Sequence, residues 1–141
     1  MRPPRAPHDE ADGIVFLPRN IDKARAALPG GNLGEYFLER DDIRTLSGLF
    51  FRRFSCTQNQ FIAVVAAAGD DATVAAWLRS RVEAGTVERW NQRVRAMRMK
   101  DIDPATQDFL RERYRPATWS DDDLLLDMLH LDDRRSFTAG Y

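Results

Sequence analysis

A chain of 141 residues that is 43% hydrophobic and 30% charged has apolar material for one core and charge for a solvated surface. Its formal net charge of -1 argues against a protein whose main task is neutralising phosphates, which sets nucleic acid aside as a partner. The single cysteine, Cys56, excludes an internal disulfide, and with His8 and His130 the only histidines no metal or cofactor is expected.

The opening Met1-Arg2-Pro3-Pro4-Arg5-Ala6-Pro7 has no secretory apolar stretch, and the longest apolar run, Phe61 to Ala68, is far short of a membrane span. The expectation is a soluble, cytoplasmic protein without a membrane partner. Residues 1–13, rich in proline and then polar, read as an extended N-terminal arm, and 14–141 as a single helical domain.

Pro18 suits the first turn of a helix in which Ile21, Ala24, Ala27 and Leu28 share one face, and Pro29-Gly30-Gly31 forces its end. Residues 35–39 alternate in character and predict one small extended piece. From Asp41 the positions Ile43, Leu46, Leu49, Phe50 and Phe54 predict a second helix. Thr57 and Gln60 have the spacing of a reciprocal capping box before a third, which Gly69 ends. Asp70 or Asp71 caps a fourth helix carrying Val74, Trp77, Leu78 and Val82. Gly85 breaks it, and Thr86 opens a fifth with Val87, Trp90, Val94 and Met97 inward. Asp103-Pro104 opens a sixth. Ser120 opens a seventh, whose first turn would hold Asp121, Asp122 and Asp123 at the positive end of the helix dipole. After Asp133 no pattern stands out. The fold class is all-α, about seven short helices joined by short loops.

The stretches Pro3 to Pro7, Leu17 to Ala26 and Gly34-Glu35-Tyr36, with Val74 to Leu78, Asp103 to Leu110 and Leu124 to Phe137, resemble the bacterial family known as domain of unknown function 5069. The first helix carries the most specific of these motifs. Two departures stand out. Where the family often has a Cys-Pro-Leu-Asp element, this chain reads Phe37 to Asp42, and the family's glycine pair near the end reads Ala139-Gly140. The resemblance implies a small, single-domain, mainly helical bacterial protein and supplies no reaction.

The candidate ligand-contact residues are Arg19, Asp22, Lys23 and Arg25, followed by Glu35 and Tyr36. Spacing of three or four places Arg19, Asp22 and Lys23 on one side of the first helix, where two cations could hold a carboxylate or phosphate while Asp22 aims the arginine. The ordinary alternative is local ion pairing or a clasp on another helix. Gly30 to Gly34 reads as a helix-terminating turn rather than an anion cradle. Asp127, Asp132 and Asp133 read as ion-pairing and capping groups. Cys56 reads as a packing residue, although a nearby helix N-terminus would lower its pKa.

Basic residues crowd Arg79 to Lys100, and six aspartates crowd Ser120 to Asp133. Such blocks point to contact within the fold or between two copies, with a homodimer favoured. Lys23 and Lys100 are the only lysines, a bias that compositional drift alone could produce. Together these features suggest a non-catalytic binding module for a small anionic ligand or an acidic partner. One alternative is an enzyme using Glu35 or Asp22 as acid or base with Arg19 holding an anionic substrate; another is a purely structural homodimer.

Overall fold

Seven α-helices, one 3-10 turn and one hairpin form the described part of the computed structural model, which is residues 3–34, 36–113 and 119–138, with side chains to 133. The mainly helical class is as expected. The hairpin pairs β1 (Glu10–Ala11) with β2 (Ile14–Val15) in antiparallel register, Glu10 opposite Val15 and Ala11 opposite Ile14. Its turn, Asp12-Gly13, has φ of 47° and 77°, the doubly left-handed backbone that suits Asp-Gly in a two-residue hairpin. The described strands are at 10–15; residues 36–39 form none, and Glu35 lies outside the described residues.

The helices are α1 (Leu17–Ala26), α2 (Leu46–Arg53), α3 (Gln58–Ala67), α4 (Asp71–Ser80), α5 (Thr86–Ala96), α6 (Pro104–Arg113) and α7 (Leu125–Thr138), with the 3-10 turn at Met99–Asp101. Local chemistry explains most of the boundaries. Gln60 N–H donates to Thr57 Oγ1 (3.1 Å) and Thr57 N–H donates to Gln60 Oε1 (3.0 Å), completing the capping box. Asp70 Oδ1 accepts from Thr73 N–H at 2.9 Å.

Three helix starts differ from the sequence reading. α2 begins at Leu46, not Asp41, because Thr45 is extended and its Oγ1 accepts from Gly48 N–H at 2.9 Å. Gly85, with φ of 89°, occupies the cap position of α5 in place of Thr86. α7 begins at Leu125, not Ser120, because the chain before it pairs with the segment after α5. Met99 N–H donates to Asp123 O (2.8 Å), Lys100 N–H to Asp121 O (2.9 Å) and Leu125 N–H to Met97 O (2.9 Å). The helix then runs past Asp133, where no pattern was legible.

The main core gathers Phe50, Phe51, Phe54, Phe61 and Trp90 with α1, α4 and the hairpin. Trp90 Nε1–H donates to Val15 O at 2.8 Å, and the Asn91 amide accepts from Val15 N–H (3.0 Å) and donates to Gly13 O (2.6 Å), which fixes the hairpin on α5. A second cluster holds Met97, Met99, Leu110, Leu125 and Met128. Leu46, Leu49 and Leu129 pack against both clusters and mark the seam between them.

Glycine matters most at position 31, where a Cβ would stand 2.5 Å from the Ala26 carbonyl oxygen, whereas at Gly69 it would meet nothing within 4 Å. Gly31→Ala should therefore lower stability by about 1–3 kcal/mol, while Gly69→Ala should leave it unchanged or raise it slightly. Urea unfolding of the two variants measures this; equal midpoints would contradict the packing described.

Candidate functional site

A cavity of about 380 Å³ lies at the seam, walled by α1, α2, α5, α6 and α7 and by the segments that follow α1 and α5. Its apolar lining comes from both clusters, including Phe16, Leu46, Leu49, Met97, Leu110, Leu125 and Leu129. Set into that lining are Arg19, Lys23, Tyr36, Ser47, Arg113 and Asp132. Three exposed arginines, Arg44, Arg52 and Arg93, also line it, and none forms an ion pair among the described residues. Exposed Asp101 and Asp103 complete its charged lining, so basic groups outnumber acidic ones.

Arg19 is 3% exposed and forms a two-pronged ion pair with Asp133 of α7, Nη1 to Oδ2 at 2.6 Å and Nη2 to Oδ1 at 3.0 Å. Tyr36 O–H donates to the same Asp133 Oδ1 at 3.0 Å, and the Arg19 guanidinium lies 5.5 Å from the centre of the Tyr36 ring. Burial and the Asp133 charge raise the Tyr36 pKa, keeping that hydroxyl a donor. Arg19 Nε and the neighbouring Asn20 Nδ2 are buried without a hydrogen-bond partner among the described residues.

Lys23 stands one helical turn beyond Arg19 and is also buried. Its Nζ donates to Phe37 O (3.1 Å) and Ser47 Oγ (3.3 Å) and lies 5.5 Å from the Phe16 ring centre, with no carboxylate in salt-bridge contact among the described residues. Burial, and then the positive charges of Arg19 and Arg113, pull its pKa well below the ordinary 10.5 against the opposing influence of Asp133. Phe16, beneath it, has φ of 76°, a strained conformation for a non-glycine residue and one that persists where surrounding structure enforces it. Across the cavity Asp132 pairs with Arg113 at 3.4 Å, yet burial keeps its pKa above the ordinary carboxyl value, Arg113 opposing and Asp133 adding to the rise.

The sequence candidates separate into two groups. Arg19 and Lys23 line the cavity as buried parts of its wall rather than an open surface, and Tyr36 lines it half-buried. Asp22 and Arg25 instead line a second groove, with Arg5 and Asn32, which Lys23 and Tyr36 border as well. There Asp22 accepts from Arg5 N–H (2.8 Å) and from its guanidinium, and Arg25 approaches Asp71 at 3.8 Å. Glu35 is outside the described residues. The turn after α1 is closed on itself: Gly31 N–H donates to Leu28 O and Gly34 N–H to Asn32 Oδ1. Cys56 is half-buried, and burial pushes its thiol up to about 11, opposite to the lowering expected from the helix N-terminus. Nothing local marks Ser47, Arg44, Arg52, Arg93, Arg113 and Asp132 as cavity residues, because they come from α2 and the segment before it, α5, α6 and α7 and share no motif.

The family model described as Domain of unknown function (DUF5069) matches residues 1–135. The chain belongs to this family. No curated protein matches it. The family match spans α1 and every cavity residue.

The depressed Lys23 pKa has a thermodynamic consequence. Between its native pKa and 10.5 the unfolded chain holds a proton that the folded chain does not, so stability rises with pH across that window. Lys23→Met should flatten this rise. Urea midpoints for both proteins, taken from about pH 7 to pH 10, measure it; identical slopes would contradict the assignment.

Proposed function

We propose that the protein binds a small anionic organic molecule in the cavity between the two clusters. The reading rests on one combination of features. A cavity of about 380 Å³, within the range of small-molecule sites, joins an apolar lining to a buried arginine whose Nε has no partner, and to exposed arginines that have no counter-ion, among the described residues. An apolar body would fill the seam, and a carboxylate would answer the surplus positive charge. An acidic protein segment fits less well, because Arg19 and Lys23 are interior.

The other readings have weaker support. Acid or base chemistry through Asp22 would need that carboxylate in the cavity, but it is held by Arg5 in the groove. Asp132 is the lining carboxyl whose pKa is raised, and it favours a catalytic version of the same site. A purely structural homodimer calls for a broad apolar face, and among the described residues Leu131 is the one exposed large hydrophobic side chain. We place the binding activity in the cytosol, in keeping with a chain whose one cysteine is free.

Thermal unfolding with a panel of short carboxylates and their uncharged amides tests the proposal. A carboxylate at a hundred times its Kd should add about 2.7 kcal/mol, or roughly 5–10 °C in Tm, and its amide should add much less. Leu49→Trp, which fills the seam, should remove the shift. A panel without shifts, or shifts that survive Leu49→Trp, would reject the site.

A further inference from the structure

Lys23 differs from a simple anion-binding lysine in how its donors are used. The Ser47 hydroxyl donates its hydrogen to Asn20 Oδ1 at 2.7 Å, so towards Lys23 its oxygen acts as an acceptor. A neutral amine has two N–H donors and one lone pair. Phe37 O and Ser47 Oγ take the two donors, which leaves the lone pair for the cavity that the side chain lines. The carboxylate that would otherwise hold the amine as an ammonium, Asp133, is engaged by Arg19 and Tyr36.

We infer that Lys23 is a nucleophile that forms an imine with the carbonyl group of a short oxo acid held in this cavity. The inference rests on the anion-binding reading above and adds the substrate class. Lys23 and Arg19, one helical turn apart, share the cavity lining with Arg44, Arg52 and Arg93, which suits a carbonyl carbon at Nζ with its carboxylate among the arginines of the lining. The lone pair attacks the carbonyl carbon, the C=O π pair moves to oxygen, and a proton passes from nitrogen to that oxygen. The resulting carbinolamine takes up a second proton on its hydroxyl, which leaves as water. The nitrogen lone pair closes the C=N bond as that water departs, and the iminium then gives up its remaining N–H proton. Amine and carbonyl thus become imine and water, with no oxidant or reductant consumed. Asp132, in the same lining and with its pKa raised by burial, is the carboxyl suited to lend and recover the proton.

An arginine cannot do this chemistry, because its guanidinium stays protonated. The chain has two lysines, one of them in the cavity wall and the other, Lys100, half-exposed and paired with Asp122 at 3.0 Å. That makes the test internally controlled. The intact protein is treated with pyruvate, acetoacetate or 4-methyl-2-oxopentanoate in the presence of sodium borohydride, then weighed and peptide-mapped, with lactate as the carbonyl-free control. The expected result is a mass gain of one acid less one oxygen, located at Lys23, absent from Lys100 and from the lactate sample, and lost in Lys23→Met. Should that variant fail to fold, the wild-type peptide map decides alone. Labelling of Lys100 or the amino terminus to the same extent overturns the inference. Thermal shifts with these acids but no adduct overturn it while leaving anion binding in place. Neither shift nor adduct removes both readings.

Discussion

The buried pair between Arg19 of α1 and Asp133 of α7 is the constraint on which the site depends. It spans 114 residues of sequence and carries two hydrogen bonds in a setting where both side chains are almost inaccessible. Removing one member of such a pair strands the other charge and typically costs about 3–5 kcal/mol. The pair ties the first helix to the last, and Tyr36 completes the coordination of the carboxylate from the loop between α1 and α2.

The same pair dictates the state of its neighbour. With Asp133 engaged, Lys23 receives a carbonyl and a hydroxyl in place of a counter-ion, and burial acts on its charge with little to oppose it. Two cations one turn apart on α1 therefore come to differ chemically, one a fixed positive anchor and the other an amine pushed towards neutrality. The seam between the two hydrophobic clusters surrounds them with apolar side chains, which strengthens the buried polar contacts made there.

Features carried by local chemistry were readable in the sequence. The Thr57–Gln60 box, the Asp70 cap and the Gly69 stop appear where their residues suggested, whereas α4 ends at Ser80, ahead of the Gly85 that was to break it. Asp12-Gly13 is a hairpin signal of the same kind, yet it was absorbed into the extended-arm reading of residues 1–13. The aspartates at 121–123 suited a helix start, but backbone pairing with residues 97–100 takes their carbonyls first. Arg19, Lys23 and Tyr36 could be singled out from spacing on α1 and the turn beyond it. That they face inward could not, because the partner carboxylate and most of the cavity wall come from helices more than twenty residues away.

The account stands or falls on the protonation state of Lys23. With two lysines in the chain, a pH titration of the lysine side chains by NMR, using 13C and 15N labelled protein, gives two curves to assign. The account predicts that the Lys23 curve has its midpoint well below the ordinary value of 10.5. A midpoint at or above that value would mean the amine stays charged inside the fold, and the cavity would then lack its nucleophile.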